Sequence, residues 1–239
     1  MRRGVPIVIG AGATVLFAFR PDLFVPLLRP FAPVGGAVIY PQASLWSLAL
    51  SHVGFVLASL AASFALGFAL AVAVTRGGGR VYLPMARALV SGAQCFPPVA
   101  VLALLVPVLG FGGAPLVWAL FLYGLLPIFE NALRGLDGIA PEVREAGRGM
   151  GLTPWRRFRE IDLPLSLPFV LLGLRLSLVV SISTAALGST VGARTLGEVV
   201  IAGLSAGNVA FVLQGAVLVT ALSVLGYAGI GLLAGGMKR

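Results

Sequence analysis

The sequence of 239 residues is 59% apolar and only 10% charged, with a mean hydropathy of +1.03. Because soluble domains carry about 25% charged residues, this composition excludes an ordinary soluble protein and indicates a chain that folds in a bilayer. The formal net charge of +9 would suit a nucleic-acid-binding protein. However, the positive residues stand in short segments between apolar runs, as membrane orientation signals do, so we expect lipid and no nucleic acid as a partner.

The inventory of reactive side chains argues against an enzyme. One cysteine, Cys95, and one histidine, His52, exclude an intrachain disulfide and argue against a Cys/His metal site. We expect His52, near the start of an apolar run, to be interfacial. No Ser/His/Asp or paired-carboxylate cluster is recognisable, so we predict no catalytic residue. The only lysine is Lys238, which leaves no Walker A lysine to hold ATP phosphates.

Residues 1–44 form the first predicted unit. An apolar run at residues 4–19 follows two arginines and lacks a small-x-small cleavage site, so we interpret it as a retained signal-anchor helix. Its sixteen residues reach only about 24 Å, which is short for a hydrocarbon core of about 30 Å. Residues 20–44 contain five prolines and predict an irregular external segment at the membrane surface.

Residues 45–235 form the second predicted unit, which carries five further apolar runs. Together with the first run they predict an all-α membrane protein of about six spans. A glycine-rich loop is expected at residues 188–207. The predicted spans in this unit are residues 45–74, 81–110, 115–129, 165–187 and 209–234.

The third predicted span is interrupted by the adjacent prolines Pro97 and Pro98. Two prolines remove two backbone donors, which lipid tolerates only where the freed carbonyls face protein or a wet cavity. Gln94 lies one turn before them. These three residues either line a translocation path or mark a structural kink, and the sequence leaves both open.

The fifth predicted span carries a polar face. Ser177, Ser181 and Thr184 stand at i, i+4 and i+7, so they share one side of a helix. Such a stripe either lines a polar pathway or joins helices. Arg175 in the same run is a functional candidate, or its side chain simply reaches the inner surface.

A polar, basic segment at residues 141–164, PEVREAGRGMGLTPWRRFREIDLP, interrupts the apolar sequence. Its pattern predicts two short helices separated by Gly151, the second capped by Thr153 and ended by Pro164. A basic amphipathic helix on the anionic leaflet is one interpretation of this segment. The first helix has a narrow stripe at i, i+3, i+4 and i+7, formed by Val143, Ala146, Gly147 and Met150.

The spacing of this segment resembles the EAA loop of the membrane permease subunits of binding-protein-dependent ABC importers. The departure is glycine at position 147, where the family usually has alanine. The resemblance implies a type I importer transmembrane domain whose loop forms a coupling helix on a cytoplasmic ATPase. Val143 and Met150 would be apolar anchors in a groove of that ATPase, and Glu145 would pair with a basic ATPase residue or cap locally. The matching residues are Glu145, Ala146, Gly147, Gly151, Ile161, Leu163 and Pro164.

Residues 45–204 resemble the osmoprotectant branch of that family, whose members import glycine betaine, choline and carnitine. The branch usually has arginine where Glu130 stands, and a glycine-richer segment where Arg194 and Thr195 stand. The resemblance implies three partners: an ATPase dimer that holds ATP and Mg, a second permease copy, identical or related, and an external binding protein. The alternatives are import of an amino acid or another small solute by the same machinery, or a membrane protein that does not transport.

The distribution of positive residues predicts the orientation in a bacterial inner membrane. With both termini and residues 141–164 in the cytoplasm, thirteen Lys and Arg residues lie inside and three outside, with Arg175 left over. The outer three are Arg20, Arg29 and Arg194. The inner thirteen are Arg2, Arg3, Arg76, Arg80, Arg87, Arg134, Arg144, Arg148, Arg156, Arg157, Arg159, Lys238 and Arg239.

Overall fold

The structure, a computed structural model, describes residues 5–92 and 94–236, and its regular elements in these ranges are helical. The predictions for Arg2, Arg3, Lys238 and Arg239 lie outside the described residues. The helices are α1 (Val5–Phe19), α2 (Val25–Leu28), α3 (Leu45–Thr75), α4 (Leu83–Gly92), α5 (Pro98–Leu109), α6 (Gly113–Asp137), α7 (Pro141–Gly149), α8 (Pro154–Arg157), α9 (Leu163–Ala185), α10 (Gly197–Ser205) and α11 (Val209–Gly236).

Four helical segments of the described chain are long and apolar enough to cross a membrane, and a bent pair makes a possible fifth span. The four are Leu45–Thr75, Gly113–Asp137, Pro154–Val191 and Val209–Leu232, and the pair is Val5–Phe19 with Pro21–Phe31, bent by 100°. The prediction of an all-helical, multi-span fold is confirmed. The count of six continuous spans is not reproduced, because residues 81–110 form α4 and α5, of 10 and 12 residues. Twelve residues rise only about 18 Å.

The segment between α1 and α3 is more ordered than its prolines suggest. Helical turns occupy residues 21–31, and residues 37–40 are hydrogen-bonded to α11 and to Asn208, which directly precedes it. Gln214 donates to the Val38 carbonyl at 2.8 Å and accepts from the Tyr40 amide at 3.2 Å. Asn208 donates to the Ala37 carbonyl at 2.8 Å. Since these partners are over 170 positions apart, periodicity along the sequence gave no sign of them.

Helix α6 lies between α3 and α9 and supplies much of the buried core. Close approach of the three helices requires a small residue at Gly124. A Cβ atom there would lie 2.7 Å from the Ser63 hydroxyl oxygen and 2.8 Å from that of Ser177. In a bilayer, where lipid is as apolar as a leucine side chain, such close packing is what holds helices together.

The region after α9 differs from the sequence prediction. Residues 188–207 do not form a loop, since they contain α10, which packs on α11. His52 is not interfacial but fully buried. Its Nδ1 accepts from the Leu196 amide at 3.3 Å, so its Nε2 donates to the Ile182 carbonyl at 3.0 Å. One neutral tautomer satisfies both contacts, and the ring therefore fastens α3 to the end of α9 and the start of α10.

Candidate functional site

Helix α7 ends in a turn that two backbone hydrogen bonds close. Gly151 has φ of +74°, a left-handed conformation that glycine adopts without steric cost. The Leu152 amide donates to the Gly147 carbonyl at 3.1 Å, and the Gly151 amide donates to the Arg148 carbonyl at 2.9 Å. These two bonds form a Schellman motif. The predicted stop at Gly151 is therefore present, and it fixes the direction in which the chain leaves α7.

The second predicted helix begins as expected but does not end at Pro164. The hydroxyl of Thr153 accepts from the Arg156 amide at 3.4 Å, with Pro154 at the first helical position. A π-helical turn, Phe158–Asp162, then leads directly into α9, and Leu163 donates to the Phe158 carbonyl. Because proline is tolerated in the first turn of a helix, Pro164 sits at the start of α9. The prediction that it terminates a helix was wrong.

The predicted apolar stripe of α7 divides into an outward and an inward part. Val143 and Met150 are 38% and 69% exposed, and Ala146 is also exposed. Gly147 is buried instead, and a Cβ atom there would lie 2.9 Å from Ile161 Cδ1. Glycine in place of the family's usual alanine therefore lets α7 approach Ile161 closely.

Two further exposed side chains complete this surface. Trp155 on α8 is 67% exposed, and its ring lies 5.7 Å from that of Phe158. Glu145 is exposed, and its carboxylate accepts no hydrogen bond within the described part of the chain. The local capping role considered for Glu145 thus has no support from the described contacts. The segment of α7 and α8 therefore exposes four apolar side chains, those of Val143, Ala146, Met150 and Trp155, and the carboxylate of Glu145.

A buried carboxylate beneath this surface was not predicted. Asp162 is fully buried, and its Oδ2 lies 2.5 Å from Nη1 of Arg76 at the end of α3. Its Oδ1 lies 3.6 Å from Nε of Arg144 on α7. Arg144 also donates from Nη2 to the Leu136 carbonyl at 2.5 Å. The sequence gives one indication that this carboxylate is buried, since Asp162 stands between the apolar residues Ile161 and Leu163.

Two more ion pairs join the segment after α3 to α6. Arg80 Nη1 lies 2.5 Å from Asp137 Oδ1. Arg87 contacts both carboxylate oxygens of Glu130, at 2.6 and 3.2 Å, a bidentate geometry that favours arginine. Glu130, where the resembling branch has arginine, is thus matched here by a partner on α4.

Two of the predicted pathway residues, Gln94 and Ser177, contact adjacent positions of α6. Gln94 donates to the Tyr123 carbonyl at 2.9 Å, Tyr123 donates to the Phe96 carbonyl, and Ser177 donates to the Gly124 carbonyl at 3.1 Å. Pro97 is exposed and Pro98 begins α5. Ser181 is buried with no partner for its hydroxyl among the described atoms, and Thr184 is half-buried. The Ser177 hydroxyl therefore joins helices, whereas a pathway role for these residues stays a prediction.

Arg175 stands near the middle of α9 and is held by α11. Its Nε donates to the Tyr227 carbonyl at 3.0 Å, and its guanidinium carbon lies 3.7 Å from the centre of the Tyr227 ring. The guanidinium thus has a cation–π partner within the bundle.

As for metals, no group of three His, Cys, Asp or Glu side chains is placed to hold an ion in the described ranges.

With this geometry established, comparison with known proteins places the chain. Residues 63–239 match the family of binding-protein-dependent transport system inner membrane components. The chain belongs to this family. The predicted membrane permease subunit, as opposed to an enzyme, is confirmed, and the permease is an inner membrane component of a transport system.

Individual relatives agree. The permease is 32% identical over 194 residues to the glycine betaine/carnitine/choline transport system permease protein OpuCB of Bacillus subtilis, covering 80% of this chain and 84% of that one. It is 36% identical over 134 residues to the osmoprotectant import permease protein OsmW of Salmonella typhimurium, covering 54% and 62%. The fold resembles the inward-facing MetNI methionine ABC transporter with a TM-score of 0.72 and 22% identity, covering 84% of this chain and 100% of that one.

Proposed function

We propose that this permease imports an osmoprotectant of the quaternary ammonium class, such as glycine betaine, carnitine or choline, and that α7 and α8 dock on a cytoplasmic ATPase. The docking proposal depends mainly on the exposure of Val143, Met150 and Trp155 on a polar segment. The substrate class is supported by the names of the relatives. The proposed coupling residues are the apolar anchors Val143 and Met150 together with the residues of the EAA resemblance, namely Glu145, Ala146, Gly147, Gly151, Ile161, Leu163 and Pro164.

A protein groove explains the docking surface better than a lipid surface does. Val143, Ala146 and Met150 stand at i, i+3 and i+7, the spacing of anchors that a helix inserts into a groove. Helix α7 carries Glu142 and Glu145 beside Arg144 and Arg148, so its side chains have no net charge that an anionic leaflet would attract.

The contacts support one orientation for the bundle. Arg76, Asp137, Arg144 and Asp162 bring the ends of α3 and α6, helix α7 and the start of α9 to the same side. This side carries most of the positive residues, which the positive-inside rule assigns to the cytoplasm. Both termini are then cytoplasmic, and residues 37–40 lie outside near the start of α11.

The assembly that this function needs has three kinds of component. An external binding protein delivers the solute, and two permease copies, identical in the simplest arrangement, enclose a path between them. An ATPase dimer holds ATP and Mg, because the one lysine of this sequence, Lys238, does not stand in a Walker A motif. ATP binding favours one conformation of the permease through unequal contacts on α7 and α8 in the two states.

The test is ATP hydrolysis in liposomes that contain the permease, its ATPase and its binding protein. We expect glycine betaine, carnitine or choline to stimulate hydrolysis and methionine not to. Met150→Asp should weaken ATPase binding about 10- to 150-fold, since full burial of such a side chain contributes about 1.5–3 kcal/mol. Leu204→Asp is the matched control, because Leu204 is equally exposed at 69% but lies on α10.

Each outcome refers to one part of the proposal. Stimulation by methionine alone would show that the machinery is right and the substrate class wrong. Equal ATPase binding by the Met150→Asp and Leu204→Asp variants would contradict the docking surface. Glu145→Ala should reduce stimulated hydrolysis if its carboxylate pairs with the ATPase, and leave it unchanged if it does not.

A further inference from the structure

Four helices of the permease meet at one buried carboxylate. Asp162 precedes α9, Arg76 follows α3, and Arg144 belongs to α7 and also reaches the Leu136 carbonyl near the end of α6. We call Arg76, Arg144 and Asp162 the Asp162 junction. Within the described residues, Arg144 carries the only side-chain hydrogen bond that leaves α7. The junction is therefore the main polar connection between the proposed docking helix and the spans.

The two ion pairs of the junction differ in length. Arg76 and Asp162 are in contact at 2.5 Å, and the Arg76 guanidinium also lies 4.7 Å from the centre of the Phe158 ring. Arg144 Nε and Asp162 Oδ1 are 3.6 Å apart, and neither atom has a hydrogen-bond partner among the described residues. A distance of 3.6 Å is too long for a hydrogen bond.

This gap leaves room for a second arrangement of the junction. An approach of less than about 1 Å would bring the Arg144 and Asp162 atoms to the 2.7–2.9 Å of a charge-assisted hydrogen bond. Arg76 would stay bound, because leaving a fully buried carboxylate without a partner is costly. A small movement of α7 toward α9 would therefore close a second bond without breaking the first.

We propose that Asp162 is a positioning residue that transmits the movement of α7 to α3 and α9. Its bond to Arg144 closes in one state of the transport cycle and opens in the other, while its bond to Arg76 persists. This inference rests on the proposed function, since it assigns the movement of α7 to the ATPase. It concerns a residue beneath the docking surface, so binding of the ATPase and transmission of its movement are separable.

The experiment compares Asp162→Asn with Asp137→Asn. Both variants remove a carboxylate that lies 2.5 Å from an arginine, but Asp137 pairs with the exposed Arg80 and, among the described contacts, makes no side-chain hydrogen bond to α7. We measure ATPase co-purification and substrate-stimulated hydrolysis in liposomes. Asp162→Asn should keep ATPase binding and lower stimulation about 2- to 30-fold, the range found for residues that couple distant sites. Asp137→Asn should leave both unchanged.

A distance measurement separates transmission from a folding defect. Spin labels replace Arg148 on α7 and Leu165 on α9, both exposed, in a chain whose Cys95 is changed to serine. With Asp162 present, ATP should shift the label distance between two narrow values. With Asp162→Asn we expect one broad distribution that ATP does not shift. We expect the same single broad distribution for Arg144→Gln. Because Arg144 is partly exposed, this variant replaces Asp162→Asn in the experiment if Asp162→Asn does not fold.

Two results would overturn the inference. One is normal stimulation by both Asp162→Asn and Arg144→Gln. The other is retention of the two ATP-dependent label distances in these variants. Failure of the wild-type chain to bind any ATPase would instead refute the proposed function itself.

Discussion

Replacing Gly151 by alanine tests whether the turn after α7 sets the position of the docking surface. The residue has φ of +74°, and a Cβ atom there would meet nothing within 4 Å. The substitution therefore changes backbone strain without a steric clash. An L-residue in the left-handed conformation costs about 1–2 kcal/mol.

A matched control isolates that cost. Gly149 lies two residues earlier, inside α7, and a Cβ atom there would also meet nothing within 4 Å. Both alanine substitutions reduce the conformational entropy of the unfolded chain by a similar amount, so this contribution cancels when the variants are compared. Gly149→Ala should stabilise α7 by up to about 1 kcal/mol, because alanine is the better helix former.

The assay is hydrogen exchange at the Leu152 amide, which is bonded to the Gly147 carbonyl. A penalty of about 1–2 kcal/mol corresponds to exchange about 5- to 30-fold faster in Gly151→Ala than in Gly149→Ala. ATPase binding should be weaker for Gly151→Ala than for Gly149→Ala. Equal exchange rates in the two variants would refute the claim that the left-handed turn holds α7 in place.

Two other parts of the bundle give further predictions. Gly124→Ala should lower the unfolding free energy by about 1–3 kcal/mol, since its Cβ would lie 2.7 Å from the Ser63 hydroxyl oxygen. Gly54→Ala has open space and should not be destabilising. Burial, together with a 2.8 Å hydrogen bond to Glu198, raises the pKa of Tyr40 to about 12. A raised pKa means stability lost as pH rises from about 10 to 12. Tyr40→Phe should abolish that loss in melting experiments, and an unchanged pH profile would contradict the assignment.

The short-range features of the docking segment were predictable from sequence. Proline and threonine at helix starts, and glycine in a left-handed turn, act through their own backbone, so Thr153, Pro154 and Gly151 could be assigned directly. Pro164 was misjudged because a proline rule does not say whether the residue ends one helix or begins the next. The π-helical turn before it, which links the two, has no sequence signal at this length.

The composition and apolar runs of this chain determined that it is a helical membrane protein, and the spacing within residues 141–164 determined its family resemblance. Both are local properties, since burial in lipid and helix periodicity depend on neighbouring residues. Tertiary structure alone decided that Gly147 faces inward, that His52 is buried between helices, and that Asp162 joins Arg76 and Arg144. These contacts connect positions that are far apart in the sequence, and only the packing of α3, α6, α7 and α9 brings them within hydrogen-bonding or ion-pair distance.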